Sequence, residues 1–153
     1  GIAYSRDEAK ITLVKVSDRP GVAARIFGPL ADASVNVDMI VQNVSDDGKA
    51  TDLTFTVTRS DLERAIETLN QNKNDLGYED LRSDLNVVKV SVIGVGMRSH
   101  AGVAQRMFKC LGDEGVNVQV ISTSEIKVSV LIAEEFTERA VRALHTVYGL
   151  DAK

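Results

Sequence analysis

The chain has 153 residues, enough for one medium domain or two small ones of about 70 residues, and its 44% apolar and 26% charged content describes a folded chain. Tryptophan is absent, aromatics are 5%, net charge is −4 and no Lys/Arg cluster stands out, so no nucleic acid is expected as a partner. The single cysteine, Cys110, excludes a disulfide framework and a cysteine-based zinc site. With no apolar run near the roughly 20 residues of a membrane span and no signal-like opening, a cytoplasmic chain without membrane contact is expected.

The predicted elements begin with an apolar stub, Gly1–Ser5. Lys10–Ser17 reads as a mostly buried strand, with Ile11, Leu13 and then Lys15 on one face and Val14 and Val16 on the other. Asp18-Arg19-Pro20-Gly21 follows, with Asp18 as a helix N-cap and Pro20 in a first turn. The helix puts Val22, Ala23, Ile26, Phe27 and Leu30 on one face. Val35–Val44 and Thr51–Thr58 are strands joined by a turn at Asp46-Asp47-Gly48. Ser60-x-x-Glu63 reads as a capping box before a helix carrying Leu62, Ala65, Ile66 and Leu69, and Tyr78–Arg82 supplies a further strand. Then come strand Val87–Val95, helix Ala101–Asp113, strands Val116–Ser124 and Glu125–Ala133, and a helix from Glu135 to Val147.

The second half repeats the first. Gly21-Val22-Ala23-Ala24-Arg25-Ile26-Phe27 recurs 81 positions later as Gly102-Val103-Ala104-Gln105-Arg106-Met107-Phe108. Ten of the seventeen positions in 21–37 are identical to those in 102–118, ending on Val35-Asn36-Val37 and Val116-Asn117-Val118. Further on the offset falls to 75, where Glu63-Arg64-Ala65 meets Glu138-Arg139-Ala140. The six missing residues fall in the turn around Asp47, where length changes are tolerated. This is an internal duplication. The order βαββαβ predicts an α+β fold, two ferredoxin-like domains each with two helices on a four-stranded antiparallel sheet. Repeat two ends before its fourth strand, so Ile2–Tyr4 is expected to cross over and complete its sheet. The domains are then 6–84 and 85–153, the second completed by strand 1–5, and the two are interleaved.

No catalytic set emerges. Gly94-x-Gly96 has serine at 99 where a dinucleotide loop needs its third glycine, and no GxxxxGK[ST] loop exists. His100 and His145 lack metal-ligand spacing, and Cys110 has no evident activating base. Two equivalent loops before helices stand out instead: Ser17-Asp18-Arg19-Pro20-Gly21-Val22-Ala23 and Gly96-Met97-Arg98-Ser99-His100-Ala101-Gly102-Val103-Ala104. A helix start offers N–H groups and a positive dipole end to a carboxylate, and Asp18 can neutralise an ammonium group. Free amino acids carry both groups. The same residues also fit plain helix-start packing, with Asn36 and Asn117 as turn residues, and composition does not choose between the two.

The strings Asp18-Arg19-Pro20-Gly21-Val22-Ala23, Val35-Asn36-Val37-Asp38-Met39-Ile40, Gln42-Asn43-Val44-Ser45 and Ile121-Ser122-Thr123-Ser124-Glu125-Ile126 together resemble the regulatory region of aspartokinase, across essentially the whole chain. Each repeat resembles an ACT domain, a small-molecule sensor. The resemblance implies feedback control by L-lysine, L-threonine or both, bound between ACT domains that pair side by side in a homodimer. It further implies a partner, the aspartokinase catalytic domain or α subunit, that phosphorylates aspartate in lysine, threonine and methionine biosynthesis. No cofactor is expected in this chain, since ATP and Mg belong to that catalytic domain, and the chain alone is expected to be inactive. Gly1 is not an initiator methionine, so a separately started β subunit and a fragment of a longer chain both fit.

Carried over residue by residue, the resemblance implies two effector sites. One joins Asp18, Gly21, Val22 and Ala23 to Asn117, Val118 and Ile121 of the partner domain. The other joins Met97, Ser99, His100 and Val103 to Asn36, Val37, Asp38 and Gln42. Ser45, Thr54, Ser122 and Ser124 line or buttress them. At offset 81 Asp18 meets Ser99 and Asp38 meets Gln119, so the two sites differ in charge. The rival readings are a stand-alone ACT-type amino-acid sensor acting on another partner, and a small enzyme of ferredoxin-like fold.

Overall fold

A computed structural model describes residues 1–17, 19–45, 47–94 and 100–149, without the side chains of His100 and Ala101. Among the described residues the strands are β1 (Ile2–Ser5), β2 (Ala9–Ser17), β3 (Val37–Val44), β4 (Ala50–Val57), β5 (Asp80–Asp84), β6 (Val87–Ile93), β7 (Val120–Thr123) and β8 (Lys127–Ala133). They form two four-stranded sheets, ordered β3-β4-β2-β5 and β1-β6-β8-β7. Every pairing is antiparallel. The chain divides into two compact units, Asp7–Leu85 and Gly1–Arg6 with Asn86–Lys153.

The Asp7–Leu85 unit holds helices α1 (Val22–Asp32), α2 (Leu62–Gln71) and the one-turn α3 (Lys73–Leu76). Its core joins Ile11, Leu13, Leu53, Phe55 and Val57 of the sheet to Ile26, Leu30, Ala65 and Leu69 of the helices. The other unit holds α4 (His100–Asp113) and α5 (Thr137–Val147), and its core joins Val88, Val90, Val92, Val128, Val130 and Ile132 to Met107, Leu111, Ala140 and Leu144. These are α+β layouts of the ferredoxin-like kind. β1 lies beside β6 as β5 lies beside β2, with Ile2 opposite Val92 and Tyr4 opposite Val90. The opening strand of the chain therefore supplies the fourth strand of the second sheet.

Local departures from the pattern have physical causes. The strand alternation of β2 breaks at a bulge between Leu13 and Val16, where Lys15 takes φ 55° and turns outward while Val16 turns into the core. The Lys15 amide is held there by Asp52 Oδ1 at 2.9 Å. Helix α1 starts behind Gly21, at φ 87°, so glycine and not an acidic side chain occupies the N-cap; Asp18 lies outside the described residues. Ala23 is exposed rather than on the core face, and Pro29 sits inside the helix. The capping box does not form. A 3-10 turn, Arg59–Asp61, precedes α2, so Asp61 takes the N-cap position, and no side chain caps the helix. Strand β3 starts two residues later than periodicity suggests, at Val37, and β7 four residues later, at Val120.

Both first helices end in the same way. The Val35 N–H donates to Leu30 O at 3.0 Å and the Val116 N–H to Leu111 O at 2.8 Å, the closing bonds of a Schellman turn. The left-handed residue is Ser34 at φ 59° in one and Gly115 at φ 71° in the other. A side chain in that conformation costs about 1 kcal/mol relative to glycine. Ser34→Gly should therefore stabilise the first unit by roughly that amount and Gly115→Ala destabilise the second by a similar amount. A Cβ at Gly115 meets nothing within 4 Å, so only backbone strain is at issue. Urea unfolding of both variants checks this, and shifts of the same sign would refute it.

Candidate functional site

The residues singled out from the sequence fall on two features of each unit, and the strand register separates them. In the first unit Ser17 pairs with Ala50, at the end of the sheet where β3 turns into β4. The Gly21-Val22-Ala23 helix start follows from that end. Val37 pairs with Val57, at the opposite end, and Asn36 precedes it. The eight residues of β4 between these ends span about 25 Å at strand rise. In the second unit Ile93 pairs with Lys127, and the chain leaves that end toward α4, whereas Gln119 reaches Leu131 and Val87 pairs with Ala133 at the other. Asn117 and Val118 lie beyond Gln119 on an irregular segment, not on a strand. In each unit the strand end that leads to the first helix and the Val-Asn-Val string are thus a sheet length apart.

Both Val-Asn-Val strings lead into edge strands. Among the described residues β3 pairs with β4 alone and β7 with β8 alone. Asn36, Asp38 and Gln42 are exposed along and beside β3, as are Asn117, Ile121, Ser122 and Ser124 along and beside β7. Val37 and Val118 anchor the two strings by packing on their own cores. The edges are not polar throughout: Ile40 is 51% exposed, Val44 54% and Ile121 47%. Exposed apolar groups on an open strand edge favour pairing with another strand.

At the loop ends, Gly21 and Ala23 are exposed, and Val22 and Val103 rest partly on the cores beneath them. Met97 and Ser99 lie outside the described residues, as does the His100 side chain. The first turn of α4 is tied down from the other side, where the Tyr148 hydroxyl donates to Val103 O at 2.6 Å and the Arg106 guanidinium lies 5.0 Å over the Tyr148 ring. Burial pushes the Tyr148 phenol up from its ordinary pKa, against the pull of Arg106.

The supporting residues divide. Ser45 closes the β3–β4 turn: its hydroxyl donates to Asp47 Oδ1 at 2.6 Å and accepts from the Ala50 N–H. The Ser45 hydroxyl and the Lys49 N–H, which donates to the same oxygen at 2.9 Å, hold the Asp47 carboxyl below the usual carboxylate range. Ser124 closes the β7–β8 turn through its amide to Lys127 O, 2.8 Å. Thr54 shares a 3.1 Å hydroxyl pair with Thr12, and Ser91 pairs with Ser129 at 2.6 Å at the equivalent place in the second sheet. Nothing in the sequence pattern picks out Asp61. Its carboxylate accepts the Asn36 N–H at 3.0 Å and the Arg64 guanidinium at 2.6 Å.

A groove of about 700 Å³ between α4 and α5 is lined by Cys110, Asp113, Glu114, Arg139 and Arg142 among others, none of them singled out for binding. Arg142 in it pairs with Glu138 at 2.7 Å, and Asp113 is taken up by Lys109 at 2.8 Å. Burial and the neighbouring Glu114 and Asp113 push the Cys110 thiol up, away from the reactive thiolate. Among the described residues no group of three His, Cys, Asp or Glu side chains is placed to hold a metal, and no helix is long and apolar enough to cross a membrane.

Comparison with known proteins places this geometry. ACT-domain families match residues 10–74 and 90–148. The chain is 58% identical over 152 residues to an aspartokinase of Pseudomonas aeruginosa, covering 99% of this chain and 37% of that protein. It is 48% identical over 151 residues to an aspartokinase of Helicobacter pylori, covering 99% of this chain and 36% of that protein. The chain thus spans a little over a third of the length of these relatives. Among solved structures, that of aspartokinase alpha and beta subunits contains a chain 47% identical to this one, with TM-score 0.91 and 97% of each chain covered. The regulatory subunit of aspartate kinase from Thermus thermophilus, in its ligand-free form, is 35% identical with TM-score 0.91, again over 97% of each chain. Two ACT-type units, duplicated in sequence and in their open edges, together with these likenesses, mean that the chain belongs to the aspartokinase family, as its regulatory ACT region.

Proposed function

We propose that the chain is the amino-acid-sensing part of an aspartate kinase. It binds lysine, threonine or both at seams between ACT domains of two copies of the chain. Binding feeds back on a catalytic domain that phosphorylates the side-chain carboxylate of aspartate with ATP. The observation that carries this reading is the separation, within each unit, of the strand end that leads to the first helix from the Val-Asn-Val string. One unit cannot bring both halves to a single small ligand. Two units laid edge to edge in opposite directions put the loop end of one beside the asparagine end of the other. The open edges of β3 and β7, with Ile40 and Ile121 exposed, favour that pairing.

One seam then holds Asp18, Gly21, Val22 and Ala23 opposite Asn117, Val118 and Ile121. The other holds Met97, Ser99, His100 and Val103 opposite Asn36, Val37, Asp38 and Gln42. The helix start receives the ligand carboxylate, and the asparagine amide both donates and accepts. Asp18 in one seam and Asp38 in the other supply negative charge for an ammonium group. A ligand bound across a seam stabilises the paired state by its differential affinity, so effector and pairing reinforce each other. The kinase reads the tightened pairing as its inhibited arrangement.

Calorimetry of the chain with lysine and with threonine tests this. Saturable binding of at least one, with a rise in dimer population by sedimentation, is the expected result, and no binding of either refutes it. Asp18→Ala should weaken one seam about tenfold, the loss of one charge-assisted contact, and spare the other. Equal weakening at both seams would contradict the assignment.

A further inference from the structure

We infer that Asp61 is a positioning residue that latches the effector strand of the first unit and has no counterpart in the second; the inference rests on the sensing function proposed above. The Asp61 side chain is only 11% exposed and satisfies two elements at once. Its Oδ2 accepts the Asn36 N–H at 3.0 Å, and its Oδ1 accepts Arg64 at 2.6 Å. Arg64 in turn donates to Ala33 O at 2.7 Å and Ser34 O at 3.1 Å, at the end of α1. A single carboxylate thus fixes the segment from the end of α1 to the start of β3, where Asn36 enters the proposed seam. A charged, buried acceptor on a backbone N–H is a stronger tether than a neutral one.

The duplication supplies an internal control. At offset 75, Arg64 meets Arg139, which keeps the helix-end contact by donating to Glu114 O at 3.4 Å. Asp61 meets Phe136, whose ring lies 5.7 Å beneath the Arg139 guanidinium. Phe136 offers no acceptor, so the strand entry at Asn117 cannot be tethered in this way. The two seams therefore differ in how firmly their asparagine is pre-set, and the seam containing Asn36 is the pre-organised one. Ordering a contact group before binding raises affinity by removing part of the ordering cost.

Amide hydrogen exchange by NMR on the whole chain, with calorimetry alongside, tests the latch. In Asp61→Ala, exchange at Asn36 should accelerate about tenfold or more while exchange at Asn117 stays unchanged. Amino-acid affinity should fall about tenfold at the seam that Asp18→Ala spares, and hold within about twofold at the other. Asp61→Asn, which keeps an acceptor without the charge, should fall between, and it carries the same comparison if the alanine variant does not fold. Wild-type exchange at Asn36 in a folded variant overturns the latch. Unchanged affinity at the Asn36 seam, or binding confined to the other seam, overturns its effector role. Should the wild-type chain bind neither amino acid, the sensing function fails, and the exchange comparison alone decides whether the latch exists.

Discussion

Deletion of residues 1–6 is expected to destabilise the Asn86–Lys153 segment by about 4 kcal/mol while leaving the Asp7–Leu85 unit near its wild-type stability. β1 contributes four consecutive pairs to β6, from Ile2 opposite Val92 to Ser5 opposite Lys89. At about 1 kcal/mol net for each backbone hydrogen bond, a ladder of this length is worth roughly 4 kcal/mol. Ile2 also packs against the core of the second unit, and its loss adds to the cost. The deletion turns β6 into an edge strand rich in valine, which invites aggregation. Urea unfolding followed by amide exchange separates the outcomes. A low-midpoint transition confined to residues 86–149 is expected, and an unchanged midpoint would mean that β1 contributes nothing to the sheet.

That strand also shows what the sequence could and could not disclose. The duplication was legible because the groups that build each repeat obey local rules. Leu30 and Val35, like Leu111 and Val116, recur at one offset because they close the same helix end. The fourth strand of the second sheet was legible only by subtraction, since repeat two ends without one and the stub at Ile2 has no place in repeat one. The bulge at Lys15 was not legible. It depends on Asp52 of a neighbouring strand, and a string as short as Leu13-Val14-Lys15-Val16 does not tell a bulge from a lysine at a strand end. The capping box failed for a related reason. Ser60 and Glu63 have the right spacing, but the 3-10 turn draws Ser60 into helical backbone, where it cannot cap.

Of the candidate site, the sequence disclosed the parts and not the distances. Residue types and their repetition picked out Gly21, Asn36, Val103 and Asn117. That the loop and the asparagine of one unit stand at opposite sheet ends follows only from strand register. Asp61 is not legible in the sequence because its partners, Asn36 and Arg64, lie 25 and 3 residues away on different elements. The one signal available was its replacement by Phe136 in a repeat that otherwise preserves Arg64 as Arg139.

The Phe55→Ala substitution should cost the first unit about 4 kcal/mol, the usual range for emptying a buried phenylalanine site. Phe55 is fully buried in β4, and its ring meets that of Phe27 edge-on, with centroids 5.3 Å apart and planes at 76°. The cavity is poorly placed to collapse, because Ile11 and Ile40 hold Phe55 in register from both sides through backbone pairing. A small domain has only about 5–15 kcal/mol in hand, so a loss of this size leaves much of its stability gone. The two units have separate cores, so the Asn86–Lys153 segment should keep its exchange protection while residues 7–85 lose theirs. A cost below about 1.5 kcal/mol would show that the core repacks around the gap. The functional consequence is sharper than the structural one. Each proposed seam takes one half from the first unit, either the helix start at Gly21 or the strand entry at Asn36. Melting that unit should abolish amino-acid binding at both seams together, unlike Asp18→Ala or Asp61→Ala, each of which is expected to disable one. Binding that survives intact in a Phe55→Ala chain with an unfolded first unit would mean that the second unit senses the amino acid by itself.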